Sequence, residues 1–583
     1  MKILFVMASP EYLRFYDSTL ELLAARGHDV TLAVISQREK KPVGLEGLRA
    51  YADRVRVAGV VPQHEGTWGD TATGLRGVVD FVRYLDPRLA AAPVLRARIK
   101  RKVLPVAFRW LDAVPSLPSP VVRGLIDGLA ACERAIPVSQ PIAAFLGAES
   151  PDVLMVSPLV DAASEQVDWV KAAQALGIRT AVCIASWDNL TNKGHLRVQP
   201  DLVVLWNEAQ KREAIEYHGI SPERIAVTGA QLFDRWFTRT VTRDRAAFCA
   251  RVGLPDTKPF VLFTGSSSFI SESYAELAFV RKWIAALQAS PDPWIRDLNV
   301  LMRPHPYNCH AWQSADLSDV PHVAVFPRTG YNPVDEDNRT DFFDSLYHSA
   351  AVVGINTSAM IEAAIVGRPV FSMHTEEFAG TQEGTLHFHH LLPENGGCVR
   401  IASTLGEHVA QLGERLRDPE AAHAETQRFV ASFVRPHGID RPATPIVVDA
   451  IERLGAQPAP AAQGVPALAV ALRPVVLGVA AASGAVGTIS HPDRRARFLR
   501  RARQPLKGWA KGSQRALSKA EDRTRHGAKV LRKRARRFPS VAAWSSRLAG
   551  RGLKQLRHHA RQARYHAAVL VKGRVARHED PQG

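Results

Sequence analysis

The chain has 583 residues, 46% of them apolar, enough for more than one full core. Its formal net charge of +18 is unevenly spread: residues 491–583 hold 27 Lys and Arg against 5 Asp and Glu, leaving the first 490 residues with a net of −4. Five scattered cysteines with no CxxC pair argue against a disulfide framework or a zinc ribbon and for a reducing compartment, and MKILFVMASP is too short an apolar run for a signal peptide.

In chain order, residues 2–7 read as a buried strand, 12–25 as a helix stopped by Gly27, and 30–35 as a second strand. This β-loop-α-β opening suits a Rossmann-like half. Its first loop, Ala8-Ser9-Pro10-Glu11, lacks GxGxxG, so dinucleotide binding finds no support there. Residues 60–145 are mixed, with basic helical segments near 96–102; helices packed on the sheet are the expectation, with an acceptor-side excursion as the alternative. Strands are expected at 152–156, 179–184, 201–206 and 225–228, separated by helices at 162–176 and 208–218. The strand at 179–184 leads into Ser186-Trp187-Asp188-Asn189-Leu190-Thr191-Asn192-Lys193-Gly194. Open α/β sheets bind ligands past the carboxyl ends of their strands. Asp188 is therefore a candidate general base, and Lys193 or His195 could touch an anion. An ordinary Asp/Asn-rich turn has the same composition.

The second half starts near residue 244, with a helix at 245–252 and a strand at 258–263. Thr264-Gly265-Ser266-Ser267-Ser268 follows, before a helix at 274–288. Gly265 lets the backbone approach a phosphate, and Ser266 and Ser267 add donors. A strand at 299–302 ends in Arg303-Pro304-His305-Pro306. A histidine between two prolines is held stiffly, and it can donate to a diphosphate or serve acid–base chemistry. A strand at 322–327 follows. Residues 350–355 read as a buried strand, Asn356-Thr357-Ser358 as a cap, and 359–366 as a helix ended by Gly367. A helix N-terminus beyond a parallel strand favours an anion. Glu362, one turn further in, could accept two sugar hydroxyls, a pairing that suits a nucleotide ribose and its diphosphate. Plain βαβ packing with a surface Glu gives the same pattern.

His387, His389 and His390 lack Cys, Asp or Glu at ligand spacing, and a strand there would split the rings between its faces, so no metal is expected. Asp335-Glu336-Asp337 matches a DxD pattern too short to inform. Helices at 405–416, 422–433 and 444–454 precede an Ala/Pro linker at 455–463.

Two Rossmann-like halves, the Gly/Ser loop, Arg303-Pro304-His305-Pro306 and the run NTSAMIEAAIVGRPV at 356–370 together resemble the GT-B glycosyltransferase superfamily. Within it the chain is similar to the surface-polysaccharide and glycerophosphotransferase-like branch, over about residues 1–454. The resemblance implies an α/β fold with an acceptor-side domain at 1–235 and a nucleotide-donor domain at 236–454. A linker and apolar segment at 455–490 and a basic, mainly helical tail at 491–583 follow. It implies Ser266, Ser267, His305, Thr357 and Ser358 beside the donor diphosphate, with Gly265, Arg303 and Asn356 in the same site. Glu362 stands where the family's ribose-binding carboxylate does. Arg303 and His305 match the basic-His element of polysaccharide and teichoic-acid-type transferases. The retaining-type Glu-x7-Glu pair is missing, since position 354 is Gly and 370 is Val. The activity implied is sugar transfer from a nucleotide sugar to a surface glycan or lipid-linked acceptor, with no cofactor and no metal. In such a reaction Asp188 would be the base and His305 the leaving-group partner. A nucleotide-sugar 2-epimerase or a glycerophosphotransferase of the same fold stays open, as does a non-catalytic lipid- or nucleic-acid-binding protein on that scaffold.

Residues 464–489 are long and apolar enough in outline to span a bilayer, but Arg473-Pro474 interrupts them. A central Arg costs roughly 2.5–3.5 kcal/mol on insertion scales, so a packed or surface-lying helix is the expectation. In 491–583, Val541, Trp544 and Leu548 recur at helical intervals among basic residues, as do Tyr565 and Val569. A basic amphipathic helix suits an anionic membrane. Nucleic acid is the rival partner, without a base-reading motif, and a solvated disordered tail is the third alternative. The expected setting is cytoplasmic, peripheral at the inner face of the cell membrane.

Overall fold

A computed structural model describes residues 1–36, 48–330 and 335–490. The basic tail at 491–583 lies outside the described residues. The chain divides into two compact units, Met1–Gly484 and Ala485–Gly583. The first holds two parallel sheets.

The first sheet comprises β1 (Lys2–Met7), β2 (Asp29–Val34), β3 (Val55–Val60), β4 (Val153–Ser157), β5 (Arg179–Cys183), β6 (Leu202–Leu205) and β7 (Ile225–Val227), in the order β3-β2-β1-β4-β5-β6-β7. The second comprises β8 (Phe260–Thr264), β9 (Asn299–Arg303), β10 (Val323–Val325), β11 (Ala351–Gly354), β12 (Val370–Met373) and β13 (Val399–Ala402), in the order β10-β9-β8-β11-β12-β13. Counted within each half, both follow the Rossmann order 3-2-1-4-5-6, and the first adds one strand. Their central strands are buried on both faces, as parallel sheets covered by helices require. The order reverses between β1 and β4 and between β8 and β11, the switch points outside which open α/β sheets bind ligands. This is the two-domain α/β architecture that the GT-B resemblance implies.

Three features depart from the sequence reading. Residues 12–25 are not one helix: a 3-10 turn, Pro10–Phe15, precedes a helix at Asp17–Ala25. The break sits at Tyr16, whose hydroxyl is tied down by Ser157 Oγ (2.6 Å) and the Cys183 carbonyl (2.8 Å). Most of the 60–145 excursion does not pack on the sheet. The helices Gly66–Val82, Pro93–Lys102 and Ser119–Ala135 close around their own cluster, built on Phe81, Leu85, Leu95, Ile99 and Val122. Phe269 and Leu386 of the second half pack against that cluster, so the excursion bridges the two halves. Finally, residues 386–391 form a 3-10 turn, not a strand, closed by Phe388 N–H to Thr385 O at 3.1 Å and Leu392 N–H to His389 O at 3.2 Å.

The halves are joined further by a shared apolar cluster, in which Trp187, Trp206 and Phe233 meet Met360, Phe388 and Phe433. The helix Ala443–Gly455 follows the second half in sequence but packs against the helix Asp17–Ala25 and β5, its Val447, Val448 and Ile451 joining the first half's core cluster. The apolar segment forms the helix Ala467–Ser490. Among the described residues, no helix is long and apolar enough to cross a membrane.

Candidate active site

The carboxyl ends of both sheets open onto one cavity of about 300 Å³, at the lower end of the usual range for small-molecule sites. The first half contributes Arg14 and Asp17 after β1, Ser186 and Trp187 after β5, Trp206 after β6, and Arg235 and Arg239 from the crossover. The second contributes Thr264 and Gly265 after β8, Arg303 to Tyr307 after β9, Arg339, and Thr357, Ser358 and Glu362 after β11. The wall thus carries five arginines against two carboxylates.

Arg303 is the central cation. Only 6% of it is exposed. Its Nη1 donates to Ser345 Oγ at 3.3 Å, while Nη2 has no hydrogen-bond partner. The guanidinium lies 5.1 Å from the Phe342 ring centre, within cation–π range. Burial lowers its pKa to about 10, against the opposing charges of Asp341 and Glu362, and it remains cationic at neutral pH. A buried charged donor left unpaired costs on the order of 1–3 kcal/mol or more.

Glu362 faces the same space from the helix Ala359–Ile365. Its carboxyl accepts no hydrogen bond among the described residues. Burial raises its pKa to about 8, with Arg14 and Arg303 pulling the other way. The helix is only seven residues long, and its first-turn donors are already engaged. Met360 N–H reaches Thr357 O at 3.2 Å, and Ile361 N–H reaches Ser358 O at 2.9 Å. Anion affinity here therefore rests on side chains more than on a helix dipole.

His305 is held as a neutral donor. The backbone N–H of Tyr307 donates to its Nδ1 at 3.2 Å, which leaves the ring proton on Nε2. Burial, assisted by Arg14, lowers its pKa to about 4.

The small-residue loop after β8 is fixed from behind. Gly265 N–H donates to the Arg303 carbonyl at 2.8 Å, and a Cβ at Gly265 would meet His305 N at 2.7 Å and Glu276 Oε2 at 3.1 Å. Only glycine allows this approach. Ser266 N–H donates to Glu276 Oε1 at 2.7 Å, and Asn308 Nδ2 to the Ser266 carbonyl at 2.9 Å. Glu276 is buried, and that burial raises its pKa to about 8.

The sequence-derived candidates fall into two groups. Gly265, Arg303, His305, Thr357, Ser358 and Glu362 line the cavity. Four others do not. Ser266 is buried behind the loop with its Oγ unpartnered, and Ser267 closes the turn that accepts Ile270 N–H at 2.8 Å. Asn356 is buried, its Nδ2 donating to Thr381 O (2.8 Å) and Thr385 Oγ1 (3.1 Å). Asp188 sits beside the wall residue Trp187, with Oδ1 accepting from Asn189 Nδ2 and Oδ2 from Asn192 Nδ2, both at 3.2 Å. Burial opposes its ionisation, but Lys193 and His387 outweigh that and hold the carboxyl below its usual range. Lys193 is itself paired with Asp161 at 3.3 Å and reaches Tyr12 OH at 3.1 Å. His195 is stacked on His218, away from the cavity.

Sequence reading missed Arg14, Arg235, Arg239, Arg339 and Glu276. Arg14 follows the loop set aside for lacking glycines, and a basic residue just past β1's carboxyl end was the available signal. Among the histidines at 387–390, His387 packs edge-on against Trp187 and His390 pairs with Glu213 at 2.6 Å. No group of three or more potential metal ligands occurs among the described residues. Asp335 caps the helix Glu336–His348 by accepting Asn338 N–H at 2.9 Å.

No protein-family model matches the chain, and no curated protein matches its sequence. Solved structures do match its shape. A UDP-GlcNAc 2-epimerase from Methanocaldococcus jannaschii is 13% identical, with a TM-score of 0.42, covering 78% of this chain and 100% of its own. A glycosyltransferase from Rickettsia africae is 10% identical, with a TM-score of 0.43, covering 78% and 99%. HepE from Anabaena, in complex with UDP, is 11% identical, with a TM-score of 0.40, covering 78% and 100%.

Proposed function

We propose that the chain is a GT-B-type glycosyltransferase that takes a sugar from a nucleoside-diphosphate donor to a hydroxyl of a surface glycan or lipid-linked acceptor. The observation carrying this is the convergence at the second switch point of buried Arg303, with its open Nη2, neutral His305 and Glu362. A diphosphate supplies the acceptors that Arg303 Nη2 and His305 Nε2 lack. Ribose hydroxyls supply partners for the Glu362 carboxyl.

In the reaction, an acceptor oxygen bonds to the anomeric carbon as the bond from that carbon to the diphosphate oxygen breaks. The electron pair leaves with the diphosphate. Arg303, Arg14 and the His305 N–H stabilise that charge, as fixed donors do at a developing oxyanion. Asp188, beside the wall residue Trp187 and held ionised by Lys193, is the base proposed to take the acceptor proton once an acceptor reaches it. Fixed cations can carry the leaving-group charge, so the reaction as written uses no metal.

The test is a panel of nucleotides and nucleotide sugars titrated onto the full chain by calorimetry. A nucleoside diphosphate or its sugar that binds the wild type and is lost in Glu362→Ala supports the reading. Interconversion of that sugar with no acceptor present would replace it with an epimerase. Absence of binding by a folded protein would remove the enzymatic reading.

A further inference from the structure

Over residues 469–476, the helix Ala467–Ser490 packs on the first half with one narrow stripe buried. Ala469 and Val476 pack against Ala72, Ala135 and Ile136, with Leu472 and Cys132 beside them. Arg473, the only charged residue between 464 and 489, turns inward and donates from Nε to the Ala135 carbonyl at 2.9 Å. The water-facing side is uncharged and apolar: Val475 (61% exposed) and Val479 (51%) stand on one flank of the stripe and Val470 (43%) on the other. This surface continues onto the neighbouring helix Ser119–Ala135. Val121 and Leu125 there are 48% and 43% exposed. With Cys132 they stand at i, i+4 and i+11, one stripe of that helix, which runs down to the packed helix Ala467–Ser490.

Water is a poor solvent for such a face, and something apolar should cover it. The sequence that follows argues for what. Residues 491–583 carry a net charge of +22, continuous in the chain with the apolar helix. An uncharged apolar face joined to dense positive charge matches an anionic lipid interface, where acyl chains take the first and headgroups the second. A nucleic acid would use the charge and leave the valines in water.

We infer that the water-facing side with Val470, Val475 and Val479, extended by Val121 and Leu125, docks this protein on an anionic membrane surface without crossing it. The inference is independent of the chemistry proposed for the cleft.

The experiment is co-sedimentation of the full chain with vesicles of phosphatidylcholine containing about one-third phosphatidylglycerol, beside pure phosphatidylcholine vesicles. The variants are Val475→Asp/Val479→Asp and Val121→Asp/Leu125→Asp. Expected is binding to the anionic vesicles alone. The first pair should weaken it about tenfold or more and the second pair less, with thermal unfolding unchanged because both sites are exposed. Slower amide exchange across 467–482 in the presence of vesicles is the second expected sign. Equal vesicle binding by wild type and both variants would overturn the inference, since charge alone would then suffice. So would failure to bind vesicles while binding duplex RNA, or a dimer in sedimentation velocity that the same aspartates abolish.

Discussion

The buried ion network of the first half and the cavity wall of the second treat charge differently. In the first, charges are matched inside the protein. Arg76, with no exposed side chain, donates to Glu133 Oε1 at 2.6 Å and to both Asp168 oxygens at 2.8 Å. His64 adds a further contact to Asp168 at 3.1 Å, and Arg197 pairs with Asp80. In the second, among the described residues, Arg303 makes no ion pair and its Nη2 has no hydrogen-bond partner, while the Glu362 carboxyl accepts no hydrogen bond. Charges that have their partners within the fold hold it together; the cavity groups that lack them are those the proposed donor would satisfy, and the cost of leaving them would be recovered on binding.

That contrast can be broken by substitution. Arg76→Ala strands two buried carboxylates and should cost about 3–5 kcal/mol of stability in urea unfolding, with donor affinity per folded molecule unchanged. A comparable loss of affinity would show that the first half's network belongs to the site. Arg303→Ala should reverse the pattern, lowering kcat/KM for the donor about 100-fold, or roughly 2.7 kcal/mol, with unfolding shifted by less than about 1 kcal/mol. A large stability loss with modest kinetic change would make Arg303 structural. Glu362→Ala should weaken nucleotide affinity about tenfold and Glu362→Gln by less, because a carboxyl with a pKa of about 8 is mostly neutral at pH 7 and the amide keeps its hydrogen bonds.

A further effect, read against pH, concerns Glu276. Its pKa is raised in the folded state from 4.5 to about 8, so the native protein binds more protons between those values. Its contribution to stability is then fully present below about pH 4.5 and is lost as pH rises through about 8, at up to about 1.4 kcal/mol per unit. Glu276→Gln should flatten that slope in thermal unfolding from pH 5 to 8. An unchanged slope would mean the carboxyl titrates elsewhere.

Much of the fold was legible in the sequence. Strand runs, capping residues and stopping glycines such as Gly27 and Gly367 mark elements by local chemistry, and those elements are found. Gly265, Arg303, His305, Thr357, Ser358 and Glu362 could be read because each ends or follows a recognisable strand, whereas Arg339, inside the helix Glu336–His348, could not. The rest depends on contacts distant in sequence. Nothing local says that Ser266 N–H will turn inward to Glu276, ten residues on, or that Asn356 will brace Thr381 and Thr385. The excursion at 60–145 could not be read because its apolar faces meet each other and Phe269 and Leu386, not the sheet. Nor does chain order reveal that the helix Ala443–Gly455 returns to the first half.

The central claim is that Arg303 awaits a diphosphate. Calorimetric titration of nucleoside diphosphate and nucleoside monophosphate onto wild type and Arg303→Ala tests it most directly. Tighter binding of the diphosphate by wild type, with that preference gone in Arg303→Ala, is the predicted result. Equal affinities for the two nucleotides, or a preference that survives in Arg303→Ala, would contradict it.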